Sequence, residues 1–526
     1  MKVLVSDKLA KEGVAALQQN PNVTVDVITD LTPEQLKEKI KEYDALVVRS
    51  ATKVTAEIIE AADKLKAIGR AGVGIDNIDV KAATKKGIIV LNAPAGNTIS
   101  TAEHTMAMLM SLSRKTPIAC ASLKSGKWEK SKFVGVELYN KTIGIIGLGR
   151  IGSQVAKRCL AFGMKVMGYD PFMKKENAEK MGITLAEIKE IFAEADFLTF
   201  HTPLSEQTKY LVNKDTLALM KPGVRILNCA RGGIIKEEDL LAAIKEGKVA
   251  GAALDVFEKE PAVGNPLLEL DEVIATPHLG ASTKEAQVNV AVDVAKQILI
   301  ALAGGPVATA VNIPAVSPDL LAALKPYLEL GEKLGRLQGQ FIDGRIEEVE
   351  ITYSGEVTNQ DIAPLTTVIL KGIFDEILTE QVNLVNAPFI AKERGINVKE
   401  AKSNDNKDFT NLINVTLKTD KGSCAVAGTV FGAHNVRIVK INDYHIDLLP
   451  APYLLFTQHT DKPGMVAHVS NVLAQNEVNI ARMQVGRQDA GGEAIMLLEI
   501  DHVLSPEALE QIKAKDGVAA AKIITL

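Results

Sequence analysis

The sequence predicts an α/β protein: two doubly wound parallel sheets, then an α+β unit, then a smaller βαββαβ unit. Three observations carry that expectation. Apolar runs of strand length alternate twice with amphipathic segments of helix length, from Met1 to about Asn97 and again from Thr142 to Gly280. The second series opens on Gly147, Gly149 and Gly152, a G-x-G-x-x-G turn between an apolar strand and a helix. From Tyr453 onward the order is strand, helix, strand, strand, helix, strand. At about 150 residues per domain, 526 residues hold three to four such units.

In the first series KVLVSD, VTVDVI, ALVVRS, LKAIGRAG and IIVLNAP read as buried strands, spaced by helical stretches such as TPEQLKEKIKEY and TAEIIEAAD. After the breaker-rich NAPAGN, the segment TISTAEHTMAMLMSLSRKTPIACASLKSG is a helix pair leading into a second unit. That unit's strands are TIGIIGLG, KVMGYD, FLTFHT, VRILNCA, AGAALDVF and EVIATPHLG. The helix KEAQVNVAVDVAKQILIALAG follows Gly280 and ends at the punctuation GGP and NIP. If it returns to the first sheet, residues 1–97 and 281–313 form one discontinuous domain around a second, 98–280, with hinges near Asn97 and Gly280. Residues 314–450 read as α+β, with no chemical constellation. Residues 451–526 have the ferredoxin-like order.

With 47% hydrophobic and 24% charged residues, the composition is that of ordinary globular protein. A formal charge of −5 offers no field to hold nucleic acid or anionic lipid. Cys120, Cys159, Cys229 and Cys424 are scattered, which excludes a C-x-x-C knuckle and a secreted disulfide framework and fits a reducing cytosol. No metal-ligand spacing appears, so no metal is expected. The start MKVLVSDKLAKEG meets charge too early for a signal-peptide core, and no apolar run approaches the ~20 residues of a membrane span. The expectation is a cytoplasmic protein without membrane or nucleic-acid partners.

The chemistry is read from the strand ends. After the glycine turn comes Asp170, about 20 residues further on and ending the next strand, as in dinucleotide folds. There the glycines let the backbone approach a pyrophosphate, the helix N-terminus supplies N–H groups, and the acid accepts from a ribose hydroxyl. A carboxylate repels a 2′-phosphate, so NAD is favoured over NADP. Thr202, Cys229, Ala230, Arg231, Asp255, His278, Gly280 and Ala281 also end strands of the second sheet, where ligands of open α/β sheets bind. The guanidinium of Arg231 can clamp a carboxylate in bidentate fashion. Glu260 and His278 suggest a carboxylate–imidazole pair able to take the proton of a hydroxyl during a redox step. Arg49 and Arg70 end strands of the first sheet and would face the same cleft on closure. His104 shares a helix face with Met108 and is read as packing, since no strand end delivers it to the cleft.

Taken together, GLGRIG, LNCARGG, AALDVFEKEP, TPHLGAST and VVRSATKVT with GRAGVGIDNID resemble the D-isomer-specific 2-hydroxyacid dehydrogenases, over Met1 to about Asn312. The tail resembles an ACT domain. The resemblance implies a substrate-binding domain in 1–97 with 281–313, an NAD-binding domain in 98–280, an intervening domain in 314–450 and an ACT regulatory domain in 451–526. It implies Arg231 on the substrate carboxylate, Glu260 and His278 as the proton-handling pair, and Arg49 and Arg70, with Lys130 adding charge, on the phosphate or carboxylate. It places Gly147, Gly149, Arg150, Ile151, Gly152, Asp170, Thr202, Cys229, Ala230, Asp255, Gly280 and Ala281 around NAD. Val73 stands where some relatives have a polar side chain, so no cofactor contact is carried over there. The implied reaction is oxidation of 3-phospho-D-glycerate (3-phosphoglycerate) to 3-phosphooxypyruvate, with L-serine as an effector at His459, Asp461 and Asn479, in a homo-oligomer. A glyoxylate or hydroxypyruvate reductase, and a dinucleotide-sensing regulator without catalysis, are the alternatives.

Overall fold

The computed structural model describes residues 1–314, 318–403, 409–432 and 434–526. Four sheets follow one another along the chain. Strands β1 (Lys2–Val5), β2 (Thr24–Val27), β3 (Ala45–Val48), β4 (Ala67–Arg70) and β5 (Ile89–Asn92) form a parallel sheet in the order β2-β1-β3-β4-β5. This is the flavodoxin-like order, whose crevice lies where β1 and β3 diverge. Helices cover both faces, which is why β3, Ala-Leu-Val-Val, is buried throughout. One face is closed by Leu36, Ile40, Ile58 and Ile59. The other is closed by Leu17 and by Val290, Val294 and Ile298 of the helix Lys284–Leu302, so chain that follows the second sheet completes the core of the first.

The second sheet comprises β6 (Thr142–Ile146), β7 (Lys165–Tyr169), β8 (Thr184–Leu185), β9 (Phe197–Phe200), β10 (Val224–Asn228), β11 (Val249–Leu254) and β12 (Val273–Ala275). It is parallel in the order β12-β11-β10-β9-β6-β7-β8, the Rossmann arrangement with its switch between β6 and β9. Entry to this unit runs through the helix Thr98–Arg114, which stops at Lys115 in the left-handed region (φ 53°) before Pro117 starts the next helix.

The third sheet contains β13 (Ile346–Gly355), β14 (Asn397–Ser403), β15 (Asn411–Thr419), β16 (Gly422–Phe431), β17 (Asn435–Ile441) and β18 (Tyr444–Leu448). Among the described residues its only parallel pair is β13 with β14. The fourth is antiparallel: β19 (Tyr453–Thr460), β20 (Ile480–Arg487), β21 (Glu493–Ile500) and β22 (Val518–Thr525), in the order β20-β21-β19-β22. With helices Met465–Gln475 and Pro506–Lys513 interposed, this is the ferredoxin-like order read from the sequence.

The fourth sheet is buried on both faces. Leu455, Met496 and Leu498 meet its own helices, whereas Leu454, Ile495, Leu497 and Ile524 join one core with Leu334, Leu337, Ile351 and Val415 of the third unit. Phe341, at the end of the helix Pro318–Phe341, packs edge-on against Phe456, ring centroids 4.8 Å apart. Beside it Gln340 donates to the carbonyl of Thr525 and accepts from its N–H.

Candidate active site

Each glycine of the turn after β6 has a separate reason. Gly147 has φ 95°, and a Cβ there would lie 2.6 Å from the His201 carbonyl at the end of β9. Gly152, in the first turn of the helix Arg150–Ala161, lets that helix sit on the Gly147 carbonyl. Nothing lies within 4 Å of the Cβ position of Gly149, the helix N-cap, so this backbone is open to an approaching pyrophosphate. Asp170 ends β7, accepting from Leu148 N–H at 2.9 Å through Oδ2 and from Phe172 N–H at 2.9 Å through Oδ1. Each oxygen keeps a second acceptor site. At the switch point the buried hydroxyl of Thr202 has no partner, a polar group waiting for one. Burial pulls the neighbouring His201 down to about 4. Arg150 is exposed on the first helical turn, and Ile151 packs into the core beneath it. These residues fit a dinucleotide.

At the ends of β10 to β12 the polar groups are tied together. Asn228 Oδ1 accepts from Ala230 N–H at 3.1 Å, and its Nδ2 donates to the Arg231 carbonyl at 2.8 Å, fixing the C-A-R turn. Burial pushes the Cys229 thiol up to about 12, so it is an uncharged wall. Asp255, 1% exposed, accepts from Thr276 Oγ1 at 2.6 Å, Leu279 N–H at 2.7 Å and Gly280 N–H at 2.9 Å. Burial pushes its carboxyl up, and hydrogen bonds from His104, Thr276 and Leu279 outweigh that, leaving it below the usual carboxylate range. Ala281 follows at the rim, half-buried.

Glu260 and His278 come from different loops and meet: Oε2 lies 2.9 Å from Nδ1, and Glu260 Oε1 accepts from Phe257 N–H at 3.2 Å. The carboxylate thereby holds Nδ1 as the protonated nitrogen and leaves Nε2 to accept. Both side chains remain open to solvent, at 52% for His278 and 39% for Glu260.

Three arginines converge on the other side of the cleft. Arg70 ends β4 with its side chain across Gly72, and Arg231 Nη2 lies against Gly74; a Cβ at either glycine would collide with a guanidinium. Arg231 Nε is 3.4 Å from Asp76 Oδ2, an ion pair linking the first sheet's loop to the second sheet. Arg49 Nη1 donates to the Lys8 carbonyl at 3.1 Å, and its backbone is pinned by Asp7 and Asn77. Burial, then the charges of Arg231 and Arg49, pull Arg70 down to about 10 against Asp76 and Asp7; its buried Nε has no partner. Arg70, buried beside two further cations and with its Nε unpartnered, suits an incoming anion. Lys130 stands on the turn Lys130–Phe133.

His104, read from the sequence as packing, lies 3.2 Å through Nε2 from Asp255 Oδ1 and 3.1 Å from Thr276 Oγ1. Its helix, rather than a strand end, delivers it to the site. In the tail, His459 is 3% exposed with Nδ1 unpartnered, and burial draws it below the usual imidazole range despite Asp461 nearby. Asp461 already accepts from Arg487 Nη1 at 2.9 Å and Gly491 N–H at 3.2 Å, while Asn479 donates to Asp501 at 3.1 Å. Within one chain the two side chains thus take different partners. Among the described residues no His/Cys/Asp/Glu cluster suits a metal and no helix is long and apolar enough to cross a membrane.

Three family models match the chain in succession: D-isomer specific 2-hydroxyacid dehydrogenase, NAD binding domain, over residues 106–280; D-3-phosphoglycerate dehydrogenase intervening domain over 323–442; and ACT domain over 453–517. The chain is 47% identical to the D-3-phosphoglycerate dehydrogenase of Methanocaldococcus jannaschii over all of both chains. It is 45% identical to that of Bacillus subtilis over 100% of this chain and 99% of that one. Among solved structures, a D-lactate dehydrogenase from Aquifex aeolicus complexed with NAD and lactic acid superposes with a TM-score of 0.52 at 29% identity, covering 58% of this chain and 96% of that one. A glyoxylate reductase from Paecilomyes thermophila gives 0.55 at 29%, covering 59% and 98%. Residues 106–280 are thus the NAD-binding domain of an NAD-dependent oxidoreductase. Matched end to end by these relatives and carrying all three modules in this order, the chain belongs to the D-3-phosphoglycerate dehydrogenase family of the D-isomer-specific 2-hydroxyacid dehydrogenases.

Proposed function

We propose that this protein oxidises 3-phospho-D-glycerate at C2 to 3-phosphooxypyruvate with NAD, the first step of the phosphorylated route to L-serine. The observation that carries this reading is the arginine cluster. Arg49, Arg70 and Arg231 set more cationic charge at the cleft than one carboxylate needs, and a phosphorylated hydroxy acid brings both a carboxylate and a phosphate. Arg231 takes the carboxylate; Arg49 and Arg70 take the phosphate. His278 Nε2 removes the C2 hydroxyl proton, and Glu260 stabilises the imidazolium that results. NAD, when bound, supplies the hydride acceptor. Gly147, Gly149 and Gly152 admit its pyrophosphate, Asp170 its ribose, and Thr202, Asp255 and Gly280 line the wall.

The units act as 1–97 with 281–313 for substrate, 98–280 for NAD, 314–450 as an intervening domain, and 451–526 as a regulatory domain for L-serine at His459, Asp461 and Asn479. The protein works in the cytoplasm as a homo-oligomer: Leu123, Trp128, Val134 and Tyr139, all within the segment that follows the helix Thr98–Arg114, leave large apolar side chains exposed, which self-association would cover. The deciding test is the rate of NADH formation with 3-phosphoglycerate against unphosphorylated glycerate. A preference of at least about 100-fold in kcat/KM is expected from a phosphate held by two arginines, and equal rates would refute the substrate.

A further inference from the structure

The helix Thr98–Arg114 gives one face to the strand ends of the second sheet. Thr101 Oγ1 donates to the Gly280 carbonyl at 3.1 Å, His104 reaches Asp255 and Thr276, and Met108 Sδ lies 3.9 Å from Thr276 Oγ1. Positions 101, 104 and 108 are neighbours on one helical face. What this face braces is unusual backbone: His278 sits at φ 55°, a left-handed conformation that a non-glycine residue holds only when its surroundings dictate it.

The dictating group is Asp255. Its carbonyl accepts His278 N–H at 2.9 Å, and its side chain takes the N–H groups of Leu279 and Gly280. With 1% exposure the carboxylate has no water to replace a lost donor. Three hydrogen bonds to it come from the segment it organises; His104 Nε2, 3.2 Å from Oδ1 and 3.1 Å from Thr276 Oγ1, approaches from outside. The titratable groups facing it are His104 from the helix and Cys229 from the end of β10, and Cys229 is uncharged.

We infer that His104 is a positioning residue for proton transfer: acting through Asp255, it holds the 276–280 segment and so aims the imidazole of His278. The inference rests on His278 being the base, so His278→Ala is measured beside it. The experiment uses full-length His104→Leu and His104→Gln, the latter keeping a side-chain N–H. Three readouts are taken: kcat and KM for 3-phosphoglycerate and NAD, the pH profile of kcat, and amide hydrogen exchange over residues 276–281 in the ligand-free protein. His104→Leu should lower kcat by about tenfold or more while moving the KM for 3-phosphoglycerate by less than about threefold. The acid limb of kcat should move to higher pH, because a buried carboxylate with one donor fewer takes a proton more readily. The Leu279 and Gly280 amides should exchange about tenfold faster, and His104→Gln should recover most of all three. Unchanged kcat and exchange in His104→Leu would overturn the inference, as would a kcat loss without faster exchange. If His278→Ala loses activity and His104→Leu does not, only the positioning role falls. If His278→Ala keeps full kcat, the base assignment fails and this inference with it.

Discussion

Arg70→Met separates what the arginine cluster does for substrate from what it costs the fold. Methionine keeps an unbranched stem across Gly72 and removes the charge. A charge-assisted hydrogen bond contributes about 1.5–3 kcal/mol, so losing it should lower kcat/KM for 3-phosphoglycerate by about 10- to 150-fold. Glycerate, lacking the phosphate, should lose less than about threefold. The ligand-free protein should gain. A guanidinium drawn from its ordinary range down to about 10 is disfavoured as a cation by about 3 kcal/mol, which water reaching part of the side chain reduces to about 1–2 kcal/mol. Since the folded value is the lower one, this cost applies throughout the neutral range and vanishes only as pH rises past about 10. The ligand-free variant should therefore melt about 2–4 °C higher per kcal/mol relieved, yet gain less than wild type when 3-phosphoglycerate is added. Steady-state kinetics on both substrates and thermal melts with and without ligand test this. An equal loss on the two substrates would move Arg70 to the carboxylate, and a lower melting point would refute the electrostatic account.

Asp170→Ala should narrow the preference for NAD over NADP, measured as a ratio of kcat/KM values, by weakening NAD and relieving repulsion of the 2′-phosphate; an unchanged ratio would leave Asp170 only as the cap of Leu148 and Phe172. His278→Ala should reduce kcat by roughly 10²–10⁴, and near-normal turnover would return the imidazole to a structural part. His201, held near 4 in the fold against an ordinary 6.5, should make the protein lose stability as pH falls from 6.5 toward 4, because the unfolded chain takes protons that the folded chain does not; His201→Asn should flatten that loss in denaturant titrations. Asp461→Ala frees Arg487 and should weaken inhibition by serine about tenfold or more at fixed substrate, while an unmoved inhibition curve would place serine elsewhere.

The central strands of both parallel sheets were legible because, like β3 and β9, they are apolar on both faces; the edge strand β8, two residues long, was not read, since it offers no apolar run. The glycine turn was legible because its context, strand before and helix after, is local. The meeting of Glu260 with His278 was a pattern-level expectation that the loops fulfil in space. The place of His104 was not legible, since its hydrogen-bonding partner Thr276 is 172 positions away and only the packing of its helix brings them together. The same holds for the Arg231–Asp76 pair, which crosses between sheets. One signal was present and unread. Leu454, Leu455 and Phe456 in β19, with Ile495, Met496, Leu497 and Leu498 in β21, are apolar on both strand faces, whereas the two helices of the βαββαβ unit can cover only one.

That second face bears on how such chains are put together. Because Leu454, Ile495, Leu497 and Ile524 share a core with Leu334 and Val415, a graft that exchanges only residues 451–526 between relatives would pair mismatched apolar surfaces at the Phe341–Phe456 contact. The natural cassette is the third and fourth units together. It meets the rest of the molecule where Asn383 Nδ2 donates to the Gly87 carbonyl at 2.8 Å, at the edge of the first sheet. An exchange of this cassette between relatives would keep its seam near residue 314 and carry its own docking residues, Asn383 among them, leaving the two parallel-sheet units as the constant part of the chassis.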